Sequence, residues 1–522
     1  MAAIVLVLLI GAVLRSVQYG AMASLSSDEV ALALNVVDRG WGALLFQPLV
    51  HFQVAPLGFL ALEKLAVTIL GNAEAAFRLV PYLLSLVSLI LFWRVAARYL
   101  GSVSLVAALV VFALSPSLVF YAGAAKQYSA DIVVTLLLIW IALRWLETPV
   151  SPVTGAVFGV LGGVAILLSQ AAVLVAFGLG ALLVVECRRK RAPAGPLLAI
   201  CAGWFVGAAV LTYTSIATLS EETSAYMKRF WILDFPPPPW EGLGELLWIP
   251  ARLAESVTYL VAYVNSPSSV PEIGLAAIYG ILLLLGILHL AKRNPRTAMV
   301  LAVPVVMAVV AAFVELLPLS GRLSLFIGPS LLIGGFAGFD RLRAWLPAGL
   351  APLVHAAALG LAILPGLALL FLTPPPRVLG GTLPVFRDVR AHWRPEDRLV
   401  VSRGLWARIS AEYYGRRFGM EGWYHLDRLR GGSYTAEDIL RGYLREIDAY
   451  RGAPRAWFYL DGTVACEEEA MLGYLTAIGR PLHSVVEPVG KDAVSAHLYD
   501  LSDPARLRNA DADTYPVPVC RD

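Results

Sequence analysis

The sequence predicts a mainly α protein: a polytopic membrane helix bundle followed by a small α/β domain. Of its 522 residues, 58% are hydrophobic and 15% are charged, with a mean hydropathy of +0.71, whereas soluble domains contain about 25% charged residues. Long apolar segments recur through the first two thirds of the chain, and the composition becomes soluble after Pro374–Pro376. We therefore predict a membrane domain in residues 1–372 and a second domain in residues 373–522.

We predict about eleven membrane spans, several at the short end of the roughly 17–25 residues that cross a bilayer. The first lacks a convincing cleavage site, so we expect it to be retained. Basic clusters such as Arg188–Arg191 and Lys292–Arg296 fall at the ends of alternate segments, and this side is assigned to the cytoplasm. The predicted spans are 2–17, 76–97, 103–120, 130–146, 153–168, 171–186, 197–217, 272–291, 298–314, 323–339 and 348–372.

The predicted orientation collects the polar loops on one face of the membrane. The loop after the first span, the turn at Lys126, the loop 220–272, the turn at 315–322 and the C-terminal domain would all be extracytoplasmic. We expect a multi-pass protein of the inner (plasma) membrane whose polar loops meet over one cavity. The net charge of +3 is small and indicates no nucleic-acid partner.

Two adjacent acids, Asp28 and Glu29, follow the first span and begin a predicted helix. Ser26-x-x-Glu29 has the spacing of a capping box, and acids in a first turn suit the helix dipole. An acidic pair at the membrane surface also suits acid/base chemistry on a lipid-linked substrate. The two interpretations are compatible, because Glu29 can cap the helix while Asp28 faces a cavity.

Three basic residues are candidates for binding a lipid phosphate, because ionisable groups near membrane depth are often functional. Lys126 lies in the connection between the third and fourth spans, Arg322 in a turn of otherwise apolar residues, and Arg78 at the start of the second span. Each also has a structural interpretation. Lys126 and Arg78 would snorkel to the interface, and Arg322 would anchor that face or pair with Glu315.

Polar and aromatic residues near these positions are candidates for substrate contact. We expect His51, Gln53, Gln127 and Tyr128 to contribute, although a lone histidine is more often structural. Glu63 and Lys64 are expected on a solvated helix face. Aromatic residues in the loop 220–272 would either stack on sugar rings or form an interfacial belt.

The C-terminal domain alternates predicted strands and helices, a pattern typical of an α/β layer. It contains no nucleotide-binding loop and no nucleophile motif. Cys466 and Cys520 would lie in an oxidising compartment, where a disulfide between them is plausible. Strands are predicted at 398–402, 456–461, 484–489 and 496–501, and helices at 407–417, 436–450 and 467–478.

Over residues 1–340 the chain resembles the GT-C glycosyltransferases, and within them the superfamily of protein O-mannosyltransferases and aminoarabinose transferases, including bacterial family 39-like proteins. No single motif is specific; the order and sidedness of the motifs carry the resemblance. Many relatives have a double proline where this chain has Gln53-Val-Ala-Pro. The matching stretches are Ser27-Asp28-Glu29, Gln53-Val-Ala-Pro-Leu-Gly-Phe, Glu74-Ala-Ala-Phe-Arg78-Leu, Lys126-Gln127-Tyr128-Ser129-Ala-Asp131 and Gly321-Arg322-Leu-Ser-Leu-Phe-Ile-Gly-Pro329.

The resemblance implies a donor that carries its sugar on a polyprenyl phosphate. Asp28, with Glu29 beside it, would act as general base on the hydroxyl of a lipid, glycan or protein acceptor, with inversion at the sugar. Lys126, Arg322 and Arg78 would hold the donor phosphate. No cofactor is expected, and a divalent metal at the acidic pair is not favoured. A flippase of lipid-linked sugars is the alternative, and a non-catalytic scaffold or receptor is a third possibility.

Overall fold

The structure of the protein is a computed structural model that describes residues 1–21, 24–237, 247–262, 270–372, 374–377, 380–402, 404–420, 424–425, 436–463, 465–489 and 492–518. The chain forms two compact units. The first contains Met1–Met22 and Asn35–Arg377, and the second contains Ala23–Leu34 and Val378–Asp522. The short segment Ala23–Leu34, which carries the acidic pair, therefore groups with the C-terminal residues.

The first unit is a bundle of apolar helices, as the sequence predicts. In the described part of the chain, eight helices are long and apolar enough to cross a membrane, or nine when a bent pair counts as one. Pro152–Ile166 and the described apolar part of the last helix, Ala351–Leu361, are shorter. Each of the eleven predicted spans thus coincides with helical structure. The helices are Ala2–Gly20, Glu74–Ala96, Ser102–Leu114, Pro116–Ala122, Tyr128–Glu147, Pro152–Ile166, Ala171–Lys190, Ala194–Ala217, Val270–Arg293, Pro295–Phe313, Gly328–Trp345 and Ala351–Leu372.

Shorter helices lie between these spans along the chain. They are Ser27–Asp38, Trp41–Phe46, Leu57–Leu70, Glu221–Phe230 and Trp248–Ala262, with a 3-10 turn at Gly321–Ile327.

The predicted span 103–120 is in fact two helices that meet at an angle of 48°. Pro116 begins the second helix, and a proline there removes a backbone hydrogen bond and clashes with the preceding turn. Ser115 caps the new helix by accepting from the N–H of Leu118 at 3.2 Å. The bend directs the chain into the Tyr121–Lys126 segment, which carries a candidate cation.

Arg15 supports this bend from within the first helix. Its buried guanidinium donates to the carbonyls of Ala113 at 2.9 Å and Phe112 at 3.2 Å, and also to Gly11 at 3.0 Å. The last carbonyls of a helix have no partner within that helix. Arg15 therefore satisfies carbonyls that the break at Pro116 leaves without intrahelical bonds.

The second unit is built on a five-stranded mixed sheet. Its strands are β1 (Arg398–Val401), β2 (Tyr424–His425), β3 (Ala456–Leu460), β4 (Arg480–Val489) and β5 (Asp492–Asp500), in the order β2-β1-β3-β5-β4. β1 runs parallel to β2 and β3, whereas β5 is antiparallel to β3 and β4. The helices are Thr382–His392, Leu405–Arg417, Ala436–Asp448 and Ala465–Ile478.

This architecture confirms the predicted α/β layer and adds the helix Thr382–His392 and the short strand β2. β3 is buried at all five positions, as expected for a central strand covered on both faces. Cys466 is disulfide-bonded, and its predicted partner, Cys520, lies outside the described residues.

Candidate functional site

The acidic pair begins the helix Ser27–Asp38. The carboxylate of Glu29 accepts a hydrogen bond from the backbone N–H of Ser26 at 2.7 Å, which is the return bond of a capping box. Glu29 is buried and Asp28 is half-buried. Because Glu29 holds the start of the helix, Asp28 is the better candidate for proton transfer.

Residues of the C-terminal unit hold the segment just before this helix. The backbone N–H of Leu25 donates to the hydroxyl of Tyr414 at 3.0 Å, and the hydroxyl of Ser24 accepts from the N–H of Leu383 at 2.9 Å. Tyr414 is fully buried. The acids thus follow a backbone segment that forms hydrogen bonds with residues more than 350 positions later in the chain.

In the first unit, the segment between the helices Trp41–Phe46 and Leu57–Leu70 has an unusual backbone. His51 and Phe52 both have positive φ, at 60° and 55°, which is uncommon for residues other than glycine. This conformation lets the amide of Gln53 donate to the carbonyl of His51 at 3.2 Å. It also stacks Phe52 on the ring of Tyr226, at 4.4 Å between centroids.

Gln53 and Lys126, two of the predicted site residues, are in direct contact. The ammonium of Lys126 donates to the side-chain oxygen of Gln53 at 2.6 Å, and both side chains are buried. Lys126 is only 7% exposed, so the snorkelling interpretation is wrong for this residue. A buried ammonium that is oriented by an amide oxygen is well suited to bind an anion.

Arg322 lies among aromatic rings. Its guanidinium is 5.7 Å from the ring centroid of Tyr128 and 5.8 Å from that of Trp231, distances typical of cation–π contacts. Ser320 anchors the turn by donating to Glu255 at 3.1 Å. Since Tyr128 is two residues from Lys126, both candidate cations border the start of the same helix.

Two further predicted residues, Gln127 and Arg78, are also buried or partly buried. Gln127 directly precedes the helix Tyr128–Glu147, and its side-chain oxygen is buried without a hydrogen-bond partner among the described residues. Arg78 is in the first turns of Glu74–Ala96, a helix that packs against Tyr128–Glu147. Arg78 is buried in the protein, which argues against snorkelling.

A small cleft in the first unit has Gln53 in its wall. Sequence reasoning missed most of its other polar residues. Gln170 and Ser215 are linked by a hydrogen bond of 3.4 Å, and they lie on helices that carry no recognisable motif. Its lining is Leu44, Leu45, Gln47, Leu49, Gln53, Val54, Ala55, Leu57, Leu60, Gln170, Thr214, Ser215, Thr218 and Leu219.

The prediction for Glu63 is wrong, because this residue is buried, with 1% exposure, rather than solvated. The helical spacing contained the signal. Phe59, Leu60 and Ala66 are also buried, and residues three or four apart share one face of a helix. Trp231 is one of many aromatic residues in the loop 220–272, and only the tertiary fold brings it to Arg322.

Residues 54–217 match the model of the family described as dolichyl-phosphate-mannose-protein mannosyltransferase. This segment includes Arg78, Lys126 and Tyr128 and ends before Arg322. No curated protein sequence matches the chain.

Two solved structures are similar to the chain over nearly its whole length. The crystal structure of ArnT from Cupriavidus metallidurans bound to undecaprenyl phosphate has a TM-score of 0.50 and 16% identity, covering 94% of this chain and 97% of that chain. The apo structure of the same protein has a TM-score of 0.50 and 14% identity, covering 96% and 99%. At such identities the likeness shows the fold. The chain is therefore a multi-pass membrane protein with the GT-C fold, and its residues 54–217 match the model of the mannosyltransferase family.

Proposed function

We propose that this protein is a glycosyltransferase that moves a sugar from a polyprenyl-phosphate donor to a hydroxyl group, on the outer face of the inner membrane. The observation that carries the proposal is the buried Lys126, oriented by Gln53 at 2.6 Å in a chain with the GT-C fold. The similar ArnT structure with bound undecaprenyl phosphate supports a lipid phosphate as the anion.

In this proposal Asp28 acts as general base. The acceptor hydroxyl gives its proton to the carboxylate of Asp28 while its oxygen attacks the anomeric carbon. The bond from that carbon to the phosphate oxygen breaks, and its electron pair leaves with the polyprenyl phosphate. Attack from the opposite side inverts the configuration. General-base assistance of this kind contributes about 10²–10⁴ in rate.

Lys126 and Arg322 stabilise the leaving polyprenyl phosphate. Negative charge on the phosphate oxygen increases as the glycosidic bond breaks, and fixed cations stabilise this charge without reorganisation. The planar guanidinium of Arg322 binds two phosphate oxygens at once, while its aromatic neighbours Tyr128 and Trp231 keep it oriented. Arg78 would add further positive charge for the donor phosphate.

The proposed acceptor is a hydroxyl group of a lipid, a glycan or a protein. Cleft residues with amide or hydroxyl groups, such as Gln170 and Ser215, provide hydrogen bonds for a sugar. Glu29 acts by capping the helix that carries Asp28, and His51 acts through its carbonyl, which accepts from Gln53. We expect the reaction to proceed without a metal at the acidic pair.

The test is incubation of the purified protein in detergent with a panel of polyprenyl-phosphate sugars and candidate acceptors. We expect release of free polyprenyl phosphate from one donor and loss of this release in Asp28→Asn. Asp38→Asn is the matched control, since Asp38 is exposed at the other end of the same helix. The proposal fails if no donor is consumed, or if Asp28→Asn retains full activity.

The alternative function is transport of lipid-linked sugars across the membrane. A transporter would move the donor between leaflets of a liposome without cleaving it. Transporters typically place their charged residues near the midplane of paired repeats, and the sequence contains no such repeat. A flipping assay on the same preparation distinguishes the two functions.

A further inference from the structure

The C-terminal unit brings together three side chains that are typical metal ligands. Asp388 and His392 belong to the helix Thr382–His392, and His483 belongs to β4. One ligand atom from each residue lies within 4.8 Å of the other two. None of these residues was selected by sequence reasoning, because the third ligand is about ninety positions away from the first two.

The helix supplies two of the ligands from one face. Asp388 and His392 are four residues apart, and this spacing places their side chains one above the other on a helix. His392 is the last residue of the helix. The carbonyl end of a helix carries a partial negative charge, which favours a cation.

The strand presents His483 through an irregularity. The register between β4 and β5 shifts between Pro481 and His483, so that Leu482 is the extra residue of a bulge. Bulges at sheet edges change the direction of a side chain, and β4 is an edge strand. The pairing of β4 with β5 is therefore irregular next to His483, the residue whose side chain reaches the helix Thr382–His392.

The distances are close to those of a coordination shell. His483 Nε2 lies 2.6 Å from Asp388 Oδ1, and His392 Nδ1 lies 3.5 Å from the same oxygen. The two imidazole rings stack with centroids 3.9 Å apart. Ligand atoms at about 2.0–2.2 Å from a tetrahedral metal lie roughly 3.4 Å apart. A metal would therefore require the side chains to move apart by about 1 Å, and His392 Nδ1 would have to leave the carbonyl oxygen of Asp388, 3.0 Å away.

The surroundings favour a bound cation and leave it accessible. Arg455 donates to the carbonyl of His392 at 2.9 Å, and its charge is compensated by Asp397 at 2.5 Å. The side chains of Asp388, His392 and His483 are 32%, 46% and 30% exposed. An ion can reach them from solution, and a fourth coordination position remains for water.

We propose that Asp388, His392 and His483 bind one divalent transition-metal ion of the zinc class. Two imidazoles and one carboxylate are ligands that suit zinc, whereas calcium and magnesium prefer oxygen ligands. The ion joins the first helix of the C-terminal unit to the edge strand of its sheet. Its role is to stabilise this unit, and it is independent of the transfer reaction proposed above.

The test uses the full-length protein in detergent, treated with a chelator, dialysed and titrated with zinc chloride. We expect one equivalent to bind and each of His392→Ala, His483→Ala and Asp388→Asn to weaken binding at least about 10-fold. Titration with Co²⁺ adds a spectroscopic readout, because a tetrahedral site gives intense visible absorption. His355→Gln, in a helix of the membrane unit, is the control for adventitious histidine binding.

Absence of zinc binding to the wild-type protein would overturn the proposal, as would binding that survives His392→Ala and His483→Ala. If the His483 variant does not fold, His392→Gln provides the decisive comparison, since its side chain is the most exposed of the three. Retained affinity in a folded His392→Gln variant would then exclude this site.

Discussion

The hydroxyl of Tyr414 accepts a hydrogen bond from the backbone N–H of Leu25 at 3.0 Å, across 389 residues of sequence. Leu25 is three residues before Asp28, so a buried side chain of the C-terminal unit fixes the backbone that leads into the acidic pair. A second bond, from the N–H of Leu383 to the hydroxyl of Ser24 at 2.9 Å, holds the preceding residue. Through these contacts, residues of the C-terminal unit hold the start of the helix that carries the proposed base.

Replacement Tyr414→Phe should loosen this segment without unfolding the unit. The N–H of Leu25 would lose its acceptor, at a cost of about 1–3 kcal/mol. We expect hydrogen exchange of Leu25 and the following amides to accelerate about 10-fold and the transfer rate to fall, with donor binding unchanged. Tyr499→Phe is the control, because it loses a bond to Thr476 in the same unit. Equal exchange in both variants would contradict a positioning role for Tyr414.

Lys126→Ala should weaken binding of polyprenyl phosphate. Charge-assisted hydrogen bonds contribute about 1.5–3 kcal/mol, so we expect the Kd to rise at least about 10-fold. Gln53→Ala, which leaves the charge but removes its orienting oxygen, should have a smaller effect. The exposed Lys228 provides a control, Lys228→Ala. Competition of polyprenyl phosphate against a labelled donor measures these affinities, and an unchanged Kd in Lys126→Ala would exclude the phosphate role.

Arg15→Met should destabilise the membrane unit by about 3 kcal/mol, because the carbonyls of Phe112 and Ala113 would be left buried without this donor. Arg15→Lys should recover part of the loss, since an ammonium provides fewer donors than a guanidinium. Ser16→Ala, on the exposed side of the same helix, should have little effect. Unfolding followed in detergent compares the three variants, and a stable Arg15→Met protein would contradict the assignment.

His497 should make the C-terminal sheet less stable in acid. Burial lowers its pKa from 6.5 to about 4, and this effect outweighs the carboxylate of Glu468, 3.9 Å away. A histidine whose folded pKa is lowered stabilises the fold above its unfolded pKa. That stability is lost between about pH 6.5 and 4, because the unfolded chain takes up the proton first.

Between pH 7 and pH 5, protonation of this histidine in the unfolded chain should lower the free energy of unfolding by about 2 kcal/mol. Hydrogen exchange of the β5 amides, corrected for the pH dependence of the intrinsic exchange rate, measures this loss of stability. His497→Gln should flatten the profile, because an amide does not titrate in this range. A wild-type slope that persists in His497→Gln would assign the pH dependence to other groups.

Local sequence determined most of the secondary structure of this protein. The eleven apolar segments are helical because hydropathy and length are properties of consecutive residues. The bond between Ser26 and Glu29 follows from a spacing of three residues, and the central strand Ala456–Leu460 follows from a run of aromatic and aliphatic side chains. In each case the interacting groups are near neighbours in the chain.

Only the tertiary structure decided how distant segments combine. The sequence predicts that Gln53 and Lys126 lie on the same face of the membrane, whereas their contact forms where the chain has a left-handed backbone at His51 and Phe52. Likewise, the support of Phe112 and Ala113 by Arg15 and the approach of His483 to Asp388 leave no local pattern. Hydropathy and helical periodicity are set by adjacent residues, whereas these contacts depend on which helices and strands pack together, and that is a property of the folded chain.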